Sequence, residues 1–450
     1  MAASGTNDAN DQVIVLVTGA NSGLGYSICC RLADEFLTSR HNDKRSLTVI
    51  FTTRSTKKGN DTLRGLQDHL RTSARDSAAT ARVTFLPENV DLCNLLSVRA
   101  LSRRLNKTFP KLDSIVLNAG IGGWTGLNWP EAIFGVLTDL VHQVTYPTYK
   151  LAPAGMIVDN QTKTLTDKEP RLGTVFCANV FGHYMLAHNV MPLLHRSGSP
   201  NGPGRVIWVS SLEACSKHLK IDDIQALRTL APYEASKALT DVLSLTSQLP
   251  STAHWVKSFY SINSVSDGDN NNSSSSAETP STAPNTYLSH PGICSTGIIP
   301  LHPILFYCML ATFWLARLLG SPWHTLSTYL GACAPVWLAL SPQSELDAAE
   351  APYIAHGGGR VKWGSSATLF GVDKPASSEV EGWGHGGVVG PAVVEEDRLR
   401  RRKRGARDAT AEERELFEYL GRKCWQQMEE LRQQWDEILD KEEAQAANGE

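Results

Sequence analysis

"VIVLVTGANSGLG", residues 13–25, joins a β-branched apolar run to three glycines and then to a helix-forming stretch. The run lacks the alternation of a half-exposed strand, so it reads as a parallel strand buried on both faces. Gly19 permits a tight turn, while Gly23 and Gly25 let the backbone and a helix N-terminus approach a pyrophosphate, whose charge the helix dipole favours. This strand, turn and helix context predicts a dinucleotide-binding loop, with Thr18, Gly19, Asn21, Ser22, Gly23, Leu24 and Gly25 as candidate cofactor contacts. The glycine spacing is GxxxGxG and departs from the GxGxxG fingerprint of common dehydrogenases.

Outward from this loop, strand and helix patterns alternate. "LTVIFTTRS", "RVTFLPENVD", "LDSIVLNAG" and "GRVIWVSS" read as further strands separated by helical stretches, and "TYLSHPG" as a sixth. The alternation predicts an α/β fold, a Rossmann-type doubly wound parallel sheet over residues 13–300. Residues 122–172, rich in Trp, Gly, Pro and Thr, form an insertion that reads either as a substrate-pocket wall or as a surface excursion. Residues 1–12 and 263–285 are too polar to bury a core and predict disorder. Residues 343–450 form a polar extension with a basic run, "RLRRRKRGAR", followed by an apolar stripe of Phe417, Leu420, Cys424, Met428, Leu431, Trp435 and Ile438. That stripe predicts an amphipathic helix, which has to dock on its own domain, a partner or a bilayer surface.

With 42% apolar residues and a net charge of −3, the chain is an ordinary globular protein with no pull toward nucleic acid. The nine cysteines show neither CxxC nor His-rich spacing, which argues against a disulfide framework or a metal site. The N-terminus lacks the basic start and apolar run of a signal peptide, so the catalytic part is expected to face the cytosol. Residues 297–316 carry no Asp, Glu, Lys or Arg. Together with "GACAPVWLAL", this makes residues 297–342 a hydrophobic segment that associates with a membrane, as a hairpin or interfacial wedge, or else lies over the pocket as a lid.

Several residues carry the chemistry. Arg54 ends the second strand, where a guanidinium suits a ribose 2′-phosphate, so NADPH is favoured over NADH. Asp91 is placed for the adenine edge, and Asn118, Ala119 and Gly120 end the fourth strand where the backbone passes the cofactor. In "YEASK", Tyr233 and Lys237 are four apart and share a helix face, so an ammonium can favour the phenolate of the tyrosine. Ser210 and Ser211 end the fifth strand, where a hydroxyl can hold a substrate carbonyl. Asp222 and Asp223 are adjacent and read as capping or exposed residues, and His183 and His218 receive no role.

In this order the motifs resemble the short-chain dehydrogenase/reductase family over residues 13–300. The resemblance implies that Tyr233 donates a proton to a carbonyl oxygen as hydride arrives from NADPH. It also implies that Lys237 lowers the tyrosine pKa and holds the nicotinamide ribose, and that Ser211, with Ser210 as second choice, orients the carbonyl. The resemblance further implies that Asn179 in "ANVFGHY" supports a proton relay and that "HPGICST" closes on the nicotinamide through Pro291, Gly292, Ile293 and Thr296. Two departures stand out: "LEACSKHLKIDDIQALRTLAP" makes the spacer between Ser211 and Tyr233 unusually long, and the 122–172 insertion delays the asparagine. These departures, with the apolar segment after "HPGICSTGI", look like the fungal 3-keto sterol reductases of ergosterol biosynthesis. That likeness implies a sterol ketone substrate, an endoplasmic reticulum membrane and lipid-droplet location, and association with the C-4 methyl oxidase and the C-3 decarboxylase. A reductase of another lipid ketone, retinoid or fatty acyl, is the alternative, as is a scaffold for a sterol-modifying complex. The intact Ser, Tyr, Lys and Asn set argues against a scaffold alone.

Overall fold

The computed structural model describes residues 11–39, 44–74, 77–159, 169–262, 283–295, 302–400 and 405–448. Of the stretches expected to be disordered, 1–12 and 263–285, residues 1–10 and 263–282 lie outside the described residues, as do Thr296, residues 297–301 of the apolar segment and 401–404 of the basic run, whereas Gln12 and Asn285 each open a strand, correcting that expectation at its edges.

The strands are β1 (Gln12–Val17), β2 (Ser46–Thr53), β3 (Val83–Asn89), β4 (Ser114–Leu117), β5 (Gly126–Leu127), β6 (Lys150–Leu151), β7 (Arg205–Val209), β8 (Asn285–His290), β9 (Lys362–Ala367) and β10 (Asp373–Ser378). Among the described residues the main sheet runs β3-β2-β1-β4-β7-β8-β9-β10, parallel through β9 and antiparallel at β10. β5 and β6 pair separately inside the insertion. Strand order reverses beside β1, so the carboxyl ends of β1 and β4 open a crevice at which ligands of such sheets bind.

Side-chain alternation along β1 explains why its whole run is apolar. Ile14 and Leu16 enter one core, whereas Val13, Val15 and Val17 enter the other. The first core packs beneath helices Leu95–Thr108, Gly182–Asn189 and Pro232–Leu245, and the second beneath Gly23–Ser39 and Cys333–Leu340. "GACAPVWLAL" is therefore no arm of a membrane hairpin. Its helix, Cys333–Leu340, is apolar all round because it lies across the sheet, with Cys333, Ala334, Val336 and Leu338 buried. No helix among the described residues is long and apolar enough to cross a membrane. Helix Pro303–Leu318 nonetheless exposes Ile304, Tyr307, Trp314, Leu315 and Leu318.

The C-terminal extension is part of the fold. Helix Ala411–Asn448 buries Phe417, Cys424, Met428, Leu431 and Trp435 in the first core, against helices Pro232–Leu245 and Ala253–Tyr260. The apolar stripe thus docks on its own domain. β9 and β10, "KWGSSA" and "DKPASS", carry no apolar periodicity, yet they complete the sheet because their polar side chains find buried partners. Ser365 donates to the Gly331 carbonyl at 2.7 Å and accepts from the Ala334 amide at 2.9 Å.

Lys362 is the most constrained of these residues. Its ammonium lies 2.6 Å from Asp241 Oδ2 and donates to the Ser211 carbonyl at 2.7 Å, with both charged side chains almost fully buried. Lys362→Met strands the Asp241 carboxylate without its counter-ion, and removing one partner of a buried pair costs about 3–5 kcal/mol. Chemical denaturation of K362M is expected to show a loss of that size, most of it recovered in the double variant K362M/D241L. A loss below about 0.5 kcal/mol would remove the pair from the fold's support.

Candidate active site

A cavity of about 1130 Å³ follows the carboxyl edge of the sheet, and residues ending β1, β2, β4, β7 and β8 all reach it. At one end lie Gly19, Asn21, Ser22, Gly23, Leu24 and Gly25. Gly19 adopts φ +69°, and a Cβ there would sit 2.7 Å from Ala119 Cβ; at Gly25 it would meet the Gly19 carbonyl oxygen at 2.3 Å. Only glycine permits this close passage of loop, helix and β4, which leaves the cradle that a pyrophosphate needs. Arg54, Asp91, Asn118, Ala119 and Gly120 line the same end. Asp91 Oδ1 already accepts from the Cys93 amide at 2.9 Å, which fixes the carboxylate at the cavity edge.

Thr18 does not join that wall. It is fully buried, and its hydroxyl receives the amides of Asn118 and Ala119 at 2.8 and 3.0 Å and meets His183 Nε2 at 2.8 Å. The side chain pins β1 to β4 and has no face left for a cofactor. His183, which received no role from its sequence context, is its partner, held neutral by burial that draws its pKa down to about 3.

The catalytic candidates converge at the middle of the cavity. Tyr233 and Lys237 occupy helix Pro232–Leu245, and the Lys237 ammonium lies 5.8 Å from the Tyr233 ring centroid and donates to the Val209 carbonyl at 2.8 Å. Burial lowers Lys237 to about 8, opposed by Asp241 and reinforced by Lys362. Burial also dominates at Tyr233, raising it to about 12, while a hydrogen bond with Ser211 works the other way. The expected net lowering of the tyrosine by its cation is thus overridden by desolvation. The long spacer leaves two serines to choose between, and their geometry separates them. Ser210 is buried and donates to Asp241 Oδ1 at 2.5 Å, whereas Ser211 faces Tyr233 and accepts from the Glu213 amide at 3.1 Å.

Asn179 stands behind the wall. It sits in a π-helical turn, Cys177–Phe181, and its amide clamps Ile121 by accepting from that backbone N–H at 2.8 Å and donating to its carbonyl at 3.0 Å. Pro291, Gly292 and Ile293 reach the cavity after β8; Gly292 at φ +69° holds the turn where a Cβ would meet the Trp323 carbonyl oxygen at 2.4 Å.

Beyond the tyrosine the wall is apolar and comes from elements whose role the sequence left open. The insertion supplies Trp124, Leu127 and helix Trp129–Thr138, and helix Pro303–Leu318 supplies Leu305, Met309 and Phe313. The insertion is therefore a pocket wall. Lys150 and Glu213, both unremarked in the sequence, also face this cavity. Glu213 follows the serine pair by two positions, which is the one local signal that could have drawn attention to it.

No family model matches the chain. It is 69% identical over 444 residues to the 3-keto-steroid reductase of Aspergillus fumigatus, covering 98% of each chain, and 38% identical over 471 residues to that of Gibberella zeae, covering 96% of each. The Schizosaccharomyces pombe 3-keto-steroid reductase is 32% identical across 81% of this chain and 90% of its own. Among solved structures, a 7α-hydroxysteroid dehydrogenase complexed with NADH and 7-oxo glycochenodeoxycholic acid aligns at TM-score 0.39 and 15% identity, covering 75% of this chain and 91% of its own. Identity to named relatives over nearly the whole length, with Ser211, Tyr233 and Lys237 drawn together on one cavity wall, leads to one conclusion: the chain belongs to the 3-keto-steroid reductase family.

Proposed function

We infer that the protein reduces the 3-ketone of a C-4 demethylated sterol intermediate to the 3β-alcohol in ergosterol biosynthesis, with NADPH as the hydride source. The observation that carries this reading is the placement of Ser211, Tyr233 and Lys237 between a glycine cradle and an apolar tunnel wall. A nicotinamide dinucleotide fits the donor set: Gly19, Gly23 and Gly25 would pass its pyrophosphate, Arg54 a 2′-phosphate and Asp91 the adenine. When bound, the dinucleotide supplies hydride to the carbonyl carbon. Tyr233 holds its proton at neutral pH and gives it to the developing alkoxide. Ser211, near enough to Tyr233 to favour its ionised form, orients the carbonyl oxygen between two donors. Lys237, anchored on the Val209 carbonyl, places its ammonium beside the phenolate left behind. The apolar wall excludes water and accepts the rings of the substrate.

We further place the protein at the cytosolic face of the endoplasmic reticulum and on lipid droplets, beside the C-4 methyl oxidase and C-3 decarboxylase. Supporting this, helices Trp129–Thr138 and Pro303–Leu318 both line the cavity and both turn large apolar side chains outward; Phe134 is 70% exposed and Leu137 80%. Such a patch at a pocket mouth suits a ketone that resides in lipid.

Tyr233→Phe is expected to lower the rate of NADPH oxidation with a 4-methyl 3-keto sterol by roughly 10²-fold or more; equal rates would sink the mechanism, and turnover confined to retinal or acyl ketones would sink the sterol assignment. Arg54→Ala, removing a charge-assisted contact, is expected to raise the KM for NADPH by roughly 10-fold or more while leaving that for NADH nearly unchanged. An unaltered preference would take Arg54 out of the cofactor site. Phe134→Asp/Leu318→Asp is expected to abolish co-sedimentation with phospholipid vesicles, whereas undiminished binding would place the membrane contact elsewhere.

A further inference from the structure

Lys150 is an unusual lysine. It lies on β6, in the insertion, with its side chain only 2% exposed. Its ammonium stands 3.8 Å from the Trp124 ring centroid and 5.3 Å from that of Tyr233, and the two rings meet edge to face with centroids 4.8 Å apart. The same ammonium contacts Glu213 and lies 3.8 Å from Glu234 Oε1. Lys150, Glu213, Ser211 and Tyr233 all line the cavity.

A fully exposed salt bridge would explain such a pair without function, but this one is buried against the reacting tyrosine. Carrying a lysine from solvent to this position is costly unless its charge is used or compensated. Burial draws Lys150 down to about 7 against the pull of Glu234, and the Glu213 carboxylate in contact favours the charged form. Around Tyr233 stand the Lys237 and Lys150 ammonium groups and the Glu234 carboxylate, with the Cys294 thiol also adjacent, while Glu213 sits on the Lys150 side of this set through its contact with that lysine. Losing the phenolic proton adds a negative charge to this balanced set, inside a site whose desolvation already resists it.

We propose that Lys150 is a second cation acting on Tyr233, a positioning residue that, held in place by Glu213, stabilises the phenolate formed when the tyrosine gives up its proton. This rests on the reading of Tyr233 as the proton donor. In that step the phenolic O–H bond breaks, the new O–H bond forms on the oxygen that was the ketone, and the phenolate remains; the transferred proton does not pass through Lys150. Its contribution is electrostatic and comes from an insertion and a spacer that depart from the general family pattern, so the device couples those two departures in one contact. An opposite charge within about 4–6 Å shifts a titrating group by roughly one to three units.

The test uses the full chain and reads the pH dependence of kcat/KM for NADP-dependent oxidation of the 3β-sterol, where the ionised Tyr233 accepts a proton. In Lys150→Met the ascending limb is expected to move to higher pH by about one unit or more, and in Lys150→Arg, which keeps the charge, to stay near its wild-type position. K150M/E213Q removes the pair without stranding a buried carboxylate; the limb is expected to remain displaced upward there as well. A limb at the wild-type position in K150M, or its return to that position in K150M/E213Q, would overturn the proposal, the latter by assigning the shift to a bare Glu213. Undiminished turnover in Tyr233→Phe would overturn the underlying reading instead, and that result is distinct because it leaves no tyrosine limb in any variant.

Discussion

Three parts of the chain that are remote in sequence meet at a single buried ion pair. Lys362 on β9 pairs with Asp241 on helix Pro232–Leu245 and holds the carbonyl of Ser211 at the end of β7. Asp241 in turn takes the Ser210 hydroxyl, and Ser210 also reaches the carbonyl of Lys237 at 3.3 Å. The serine strand and the tyrosine helix are thus fastened to each other from behind, through the Lys362 and Asp241 side chains, which stand outside the cavity lining. Because two charges in a dry interior are tolerated only in good mutual geometry, this pair admits little displacement of either element. The relative placement of Ser211, Tyr233 and Lys237 follows from that restriction.

The glycine-loop end of the cavity was legible almost residue by residue, since glycines that make a close approach leave a fixed spacing and since β1, β4 and β7 advertise themselves as unbroken apolar runs. The general position of Tyr233 and Lys237 followed from helical periodicity for the same reason. β9 and β10 were illegible because "KWGSSA" and "DKPASS" are stabilised by specific hydrogen bonds and ion pairs, and such long-range partners leave no local pattern. The choice between Ser210 and Ser211 was open for a related reason: Asp241, which captures Ser210, lies 31 positions away. Helix Cys333–Leu340 was misread because uniform apolarity describes a core helix and a lipid-facing one equally well, and the deciding fact is what lies beside it.

The insertion and the apolar helix after β8 divide the labour of the substrate end. Trp124 and Lys150 stand near the chemistry, whereas Ile133, Leu137, Leu305 and Met309 extend the wall outward. A polar inner zone therefore passes directly into a hydrocarbon-like outer one. A rigid polycyclic ketone matches that gradient in one orientation, with its carbonyl inward, because the reverse would desolvate Lys150 and Glu213 against an alkyl tail. Selection for the reacting end is built into the polarity of the walls, before any individual contact is made.

Helix Ala411–Asn448 covers the outer surface of helix Pro232–Leu245, and Lys362 reaches the serine loop from within the same C-terminal third. During synthesis the glycine loop, the serines and the tyrosine all leave the ribosome long before either of these supports exists. Both faces of the sheet share this dependence, since the core beneath β1 is closed by helix Cys333–Leu340. A copy terminated before β9 therefore holds the motifs of a reductase without the ion pair that aligns them.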